Sequence, residues 1–438
     1  MRARGLACLL LALGCGDIAT VAGDSGISDS GPPDARAVGS VTVTVGQVFG
    51  PSQPLADNQV VFVDPAGAIA ADLMTDGDGV ATADDIEAGS TLIVLIAEAP
   101  TGAPSGTQAL VVVGVEPGDD IHFDREGGEG IAAGDMNITW PQRAGTNQYY
   151  IDNGCNSTNT NDLITTLNFT EDCLAAGEAQ ALVRSADASD TTLGWLGGTV
   201  AFSSGGTLDI AGPWSAPEIL AVSLSDIPAE AQSLTASLIP ARGPISFNRA
   251  NLPPVELMSD TQAVDLPMPT VFADSDLVTL GFTPNQGSFG FNSLSVRVAA
   301  GETALDLALA DELLPWYGFP VLDSPSRSFS WTRSAGREPD AQFVAIFYTE
   351  KGGSERLTLI MLPPDITQVT LPELPSDYEA FMPVNPEQVA IQVQGGEASD
   401  LDGYRAARQT GFALVYNSPV LGLEPPATLR RSSGGADF

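Results

Sequence analysis

Histidine is almost missing from this sequence: His122 is the only one in 438 residues. A single imidazole excludes zinc sites built from several histidines. Any Ser-His-Asp arrangement would have to use His122 in GDDIHFDRE, with Asp119, Asp120 or Asp124 as its acid, and no Gly-x-Ser-x-Gly elbow supplies the serine. Basic residues are scarce too, 18 Lys and Arg against 55 Asp and Glu, for a net charge of -37. Such a chain repels phosphate backbones and anionic head groups, which excludes nucleic acid as a partner and a helix lying on the membrane surface. Nucleotide fingerprints are absent as well, since Gly128-Glu129-Gly130 lacks the third glycine and sits in an acidic loop. The apolar run at the start, Leu6–Leu13, is eight residues long. That is far short of the roughly 20 needed to span a bilayer.

What the run does fit is an export leader. Arg2 and Arg4 precede it and small residues follow it, so the chain is expected to leave the cytosol. Ala12-Leu13-Gly14-Cys15 resembles the lipobox of bacterial lipoproteins, with the leucine one place late. The resemblance implies cleavage after residue 14, lipidation of Cys15, and delivery to the outer membrane because Gly16 follows it. An ordinary secretory signal cut at Gly14 or near Ala22 is the other reading, and both export the chain. Loss of the two leader arginines would leave a mature charge of -39. Of the four cysteines, Cys8 leaves with the leader and Cys15 takes the lipid, so Cys155 and Cys173 remain as a pair suited to a disulfide in an oxidising compartment. Residues 15–39 are mostly Gly, Ser, Asp and Pro and read as a flexible linker. Gly23-Asp24-Ser25-Gly26 within it mimics a protease nucleophile segment but has no core to hold a site.

From Ser40 the pattern is that of strands: SVTVTVG at 40–46, QVVFV at 59–63, TLIVLIA at 91–97, ALVVVGV at 109–115, and later LVTLGF, SLSVRVA and ALDLAL between 277 and 309. Turn residues separate them at short intervals, and no stretch predicts an amphipathic helix of more than three turns. The fold class is all-β, tandem sandwiches after a leader and tether. Val60, Phe62, Val63, Pro65 and Gly67, with Thr75–Gly79 and Ala88-Gly89-Ser90, resemble the carboxypeptidase-regulatory-like or prealbumin-like Ig-type domains of surface proteins over about 75 residues. That implies a spacer or binding platform at 40–116.

An internal duplication organises the rest. Asn137-Ile138-Thr139-Trp140 with Ala144-Gly145 parallels Ser328-Phe329-Ser330-Trp331 with Ala335-Gly336, and the segment from Ile219 to Glu230 parallels Ile366 to Asp377. A tryptophan before a downstream V-[ST]-L segment resembles fibronectin-type-III or Ig-like modules. The first copy is longer where Cys155 and Cys173 sit, so the disulfide is expected to staple an insertion too polar to pack itself. The expected division is a leader at 1–14, a linker at 15–39, a sandwich at 40–116, β structure with the stapled insertion at 117–325, a further sandwich at 326–424, and a tail at 425–438.

Three features are candidates for chemistry or binding. Asp76 and Asp78 alternate as calcium ligands do, but Val80 and Ala81 stand where an EF-hand loop requires an oxygen ligand and a glycine, and Asp-Gly steps are what a tight hairpin needs. The hairpin is preferred, calcium is the one cofactor candidate, and Asp119-Asp120 and Asp400 with Asp402 carry the same ambiguity. Trp316, Tyr317 and Phe319 lie between prolines in LPWYGFP and are either a binding lip or the cap of a sandwich end. Paired carboxylates could serve a glycosidase, but 55 acids offer no way to choose a pair. The expectation is therefore a non-enzymatic binding or spacer protein, lipid-anchored on the periplasmic or extracellular face of the outer membrane, with a protein or glycan as candidate ligand. The competing classes are an exported hydrolase and a calcium-supported glycan binder.

Overall fold

Among the described residues, strand structure begins where β-branched residues alternate: Val38–Val48 is the first strand there, and Val41, Val43 and Val45 all point into one core. The structure, a computed structural model, describes residues 36–48, 53–96, 108–126, 131–247, 250–284, 290–323, 327–349, 355–371, 388–410 and 426–437. The leader, Cys15 and most of the linker lie outside the described residues. Among those described, Gly403–Thr410 is the single α-helix and nearly all other regular structure is strand. The chain is all-β.

A 14-stranded sheet runs through the molecule. Its main strands lie in the order Ser233–Arg242, Ser275–Thr283, Gly290–Ala299, Thr428–Asp437, Gln388–Ala398, Ala341–Thr349, Glu355–Leu362, Gln108–Val115, Ser90–Ile96, Gln59–Val63 and Ile69–Met74. Three smaller sheets cover it. Val38–Val48, Val80–Glu87 and Asp120–Glu126 cover one face at the amino-terminal end, around Phe62, Leu92, Phe343 and Met361. Val321–Asp323, Ser328–Ser330 and Gln368–Thr370 cover the opposite face of the same strands, around Val61, Ile93, Val344 and Trp331. At the other end Glu218–Ser225, Gln262–Met268 and Ala304–Ala308 pack on Leu238, Val278, Leu280 and Leu294.

The middle strands are thus buried on both faces, so both sets of alternate side chains must be apolar. QVVFV, TLIVLI and LTLIML are near-continuous apolar runs for this reason. The outer sheets, wet on one side, keep the strict alternation. Each fully buried Val, Leu or Phe contributes about 1.5–3 kcal/mol relative to exposure, and the cores between layers account for most such residues.

The chain between Ala132 and Asp209 forms a separate sandwich. Gln148–Asp152, Ser157–Thr160, Glu178–Ala186 and Thr192–Ala201 pack on Ala132–Thr139, Ile164–Thr170 and Thr207–Asp209. Cys155 and Cys173 are disulfide-bonded here, 5.7 Å apart at Cα. The segment they enclose does not behave as a polar insertion, because Leu167 and Phe169 are buried in the sandwich core and their strand pairs with Ala132–Thr139.

Two expectations about organisation need correction. Residues 425–438, expected as a tail, contain Thr428–Asp437, which pairs with Gly290–Ala299 on one side and Gln388–Ala398 on the other. Its sequence, TLRRSSGGAD, is polar and glycine-rich, so no apolar alternation announced it. The duplication holds for its first half only. Trp140 and Trp331 each follow a cover strand and are buried. Downstream, Glu218–Ser225 pairs with Gln262–Met268 and Ala304–Ala308, whereas Gln368–Thr370 pairs with the strand just before Trp331.

Candidate functional site

Charged side chains inside the molecule concentrate where modules meet. Asp119, in the turn after Gln108–Val115, is 0% exposed and faces Arg408 of the helix, Nε to Oδ2 2.7 Å, with Arg405 at 3.3 Å from Oδ1. Its carboxylate also accepts the backbone N–H of Glu116 at 2.8 Å. Arg408, 5% exposed, donates to the Gly114 carbonyl at 2.7 Å, and the Tyr404 hydroxyl donates to Val113 at 2.6 Å. Burial pushes the Tyr404 phenol well above its ordinary range. The helix is therefore bolted to the first sandwich, and Asp119, weighed from sequence as a cation ligand, has guanidinium groups of its own chain as partners.

A second cluster joins the carboxy-terminal strands. Arg337 grips Glu397 through two bonds of 3.0 Å, and Arg430 donates to the same carboxylate at 2.6 Å. Arg430 also pairs with Glu312 and donates to its carbonyl at 2.8 Å. The hydrogen bonds to Glu397 hold the Arg337 guanidinium charged, raising its pKa. Nearby Asp340 accepts the N–H groups of Ala398 and Gly403 at 3.0 and 3.1 Å, while burial pushes its carboxyl above the usual carboxylate range.

From Glu312 the chain enters the aromatic segment. Leu313 and Leu314 are buried, Trp316 packs against the core under Glu218–Ser225, and Tyr317 enters the core under Ser328–Ser330. Glycines make room for this strap: a Cβ at Gly395 would strike the Tyr317 hydroxyl, one at Gly434 would lie 2.5 Å from the Tyr317 carbonyl oxygen, and one at Gly336 2.7 Å from Pro315 N. Gly318 N donates to Thr332 at 2.8 Å and Trp316 N to the Ser334 hydroxyl at 2.9 Å. Of the three aromatic candidates only Phe319, 44% exposed, faces solvent. The segment is a buried strap between two cores.

The other sequence candidates are held by local structure. Asp76 Oδ1 accepts Asp78 N at 3.0 Å and Val80 N at 2.9 Å, and Gly79 takes φ +72°, so the Asp76–Gly79 segment is a tight turn stabilised by its own carboxylate. His122 sits half-exposed on Asp120–Glu126, its Nε2 3.5 Å from Asp120. Among the described residues no group of three or more His, Cys, Asp or Glu is placed to hold a metal ion. No described helix is long and apolar enough to cross a membrane.

An open groove of about 740 Å³ lies on the outer face of the sheet Gln262–Met268, Glu218–Ser225, Ala304–Ala308. Ser223, Ser225, Thr261, Gln262 and Asp306 line it, Ser223 and Asp306 being register partners. Gln262 donates to the Ala263 carbonyl at 2.8 Å. The lining offers hydroxyls, an amide and one carboxylate, groups that hydrogen-bond a polar ligand. A glycosidase mechanism requires two acids. Sequence reasoning missed this groove because serine and alanine on an outer sheet face carry no signature. It also missed Asp276, a carboxylate within the cover-facing core, and the arginines at 405, 408 and 430. With so few basic residues, YRAAR and LRR were the available signal.

No protein-family model matches the sequence, and no curated protein does. Among solved structures, the chain is similar to the Bacillus anthracis TIE protein (10% identity, TM-score 0.16), covering 62% of this chain and half the length of that one. It is also similar to BcpA, the major pilin subunit of Bacillus cereus (9% identity, TM-score 0.18, 62% of this chain and 98% of that one). A streptococcal ancillary pilin matches at 8% identity and TM-score 0.15, over 61% and 98% of the two chains. TM-scores this low carry no argument about function.

Proposed function

We propose that the chain is an exported, lipid-anchored surface protein whose sandwiches present binding or spacer surfaces without catalysing a reaction. The observation that carries this is where the reactive side chains go. Asp119, Glu397 and the four arginines that touch them seal joints between layers, Trp316 and Tyr317 fill cores, and Asp76 closes a turn. In this reading the acidic surface keeps an exported protein soluble and Cys15 carries the acyl chains that hold it at the outer membrane. The groove at Ser223 and Asp306 is the place for a polar ligand such as a glycan.

The test is expression of the full chain and of Cys15→Ser in a Gram-negative host, with membrane fractionation and mass spectrometry of the amino terminus. The full chain is expected in the outer-membrane fraction with an acylated Cys15, and Cys15→Ser in the soluble fraction. An unprocessed, cytosolic full-length chain would contradict the proposal, as would glycoside turnover abolished by Asp306→Asn.

A further inference from the structure

Asp276 lies on Ser275–Thr283 with its side chain 0% exposed, and neither carboxyl oxygen has a hydrogen-bond partner. Alternation places it on the face that carries Val278, Leu280 and Phe282, toward the cover. Its register partners are Pro240 and Val298, and the inward residues of the cover are Leu220, Val222, Val264, Leu266 and Met268 with Leu305 and Leu307. Charged groups on these elements are occupied or turned elsewhere. Arg242 lies over the Phe272 ring at 4.7 Å, and Asp274 accepts Gly243 N at 3.1 Å. Arg297 pairs in register with Leu277 and belongs to the opposite face, as Asp265 and Asp306 belong to the outer face of the cover. Glu218, at the start of its strand, and Glu302, in the adjoining turn, are exposed to solvent. Burial alone pushes the Asp276 carboxyl up to about 7.

This end of the sheet also makes the joint with the disulfide-bonded sandwich. Phe272, four residues before Asp276, takes φ +82°, a conformation a bulky residue adopts only when its surroundings impose it. Its ring occupies the space that a Cβ on Gly197 would need, and Ile245 does the same at Gly154. Phe247 packs on Phe272 at 5.4 Å, and its N–H donates to Pro240, the residue opposite Asp276, at 2.8 Å. Trp195 and Leu182 complete this small core. Asp276 is thus tied to the joint along the chain through Phe272, in the loop before its strand, and across the ladder through Pro240 and Phe247.

The geometry points to Asp276 as a pH-sensitive latch: neutral, it lets the joint close, and ionised, it favours opening of this end of the sandwich and withdrawal of Phe272 from its socket. The sign follows from linkage. The closed state holds the proton up to about pH 7, while a hydrated carboxyl releases it near its ordinary value of 3.8. The opening constant therefore rises about tenfold per pH unit between about 4 and about 7, and is level above.

Hydrogen exchange on the full chain, corrected for intrinsic rates, tests this. Between pH 5 and 7, amides in 236–247, 270–282 and 192–201 are expected to open about 50-fold more readily, while 341–349 stays constant. Asp276→Asn is expected to remove that dependence. The proposal is overturned if opening of 270–282 in the unaltered protein is independent of pH, which needs no variant to fold. It is equally overturned if Asp276→Asn keeps the same dependence, or if 270–282 opens with pH while 192–201 does not.

Discussion

Glycine does at Gly395, Gly434 and Gly197 what larger residues cannot, leaving a backbone bare so that another segment lies directly on it. Gly395→Ala is expected to cost about 1–3 kcal/mol, the usual penalty of overpacking, read as a lower denaturation midpoint. The double variant with Tyr317→Phe should recover part of that loss, since it removes the hydroxyl that the new Cβ meets; no recovery would place the strain elsewhere. At this scale the sequence was legible where a residue's local conformation decides its role. Asp76 and Gly79 demanded a turn, and a turn is what they make. It was illegible where the role depends on what packs from far away. Nothing in LPWYGFP says that Tyr317 goes inward while Phe319 faces solvent, because the glycines receiving Tyr317 lie 78 and 117 positions downstream in strands of their own.

Elements show the same division. Strands such as SVTVTVG and LVTLGF are stated by their own periodicity, and QVVFV and TLIVLI by apolar content, though the continuous runs mean burial on two faces. The polar strand Thr428–Asp437 is stated by nothing local: it is held by ladders on both sides and by Arg430 bonded to Glu397 and Glu312. The short helix Gly403–Thr410 likewise depends on its surroundings, as eight residues are too few for independent stability. Asp119→Ala would leave the buried Arg408 guanidinium without its carboxylate, at a cost of about 3–5 kcal/mol. The expected readout is a lower denaturation midpoint with loss of exchange protection in 403–410; unchanged protection there would mean that Tyr404 and the Arg408 bond to Gly114 suffice to dock the helix.

For the whole molecule, the all-β class and the succession of sandwiches were readable, and the way they are joined was not. Tandem modules suggest beads on a string, since each strand run looks self-contained. The parallel pairing of Glu355–Leu362 with Gln108–Val115 instead carries one sheet from the amino-terminal module into the carboxy-terminal one, and Thr428–Asp437 carries it onward. Register between strands about 250 residues apart is set by edges that meet only after each module has formed, so no local pattern encodes it. A sheet shared in this way holds the modules it joins in fixed relation.

Scanning calorimetry of the full chain with the Cys155–Cys173 bond intact tests that welding most directly. The shared sheet predicts that residues 37–126 and 216–437 unfold in a single transition, with van't Hoff and calorimetric enthalpies in agreement for it. Resolved transitions for the amino-terminal and carboxy-terminal modules, each unchanged by Asp119→Ala, would contradict it.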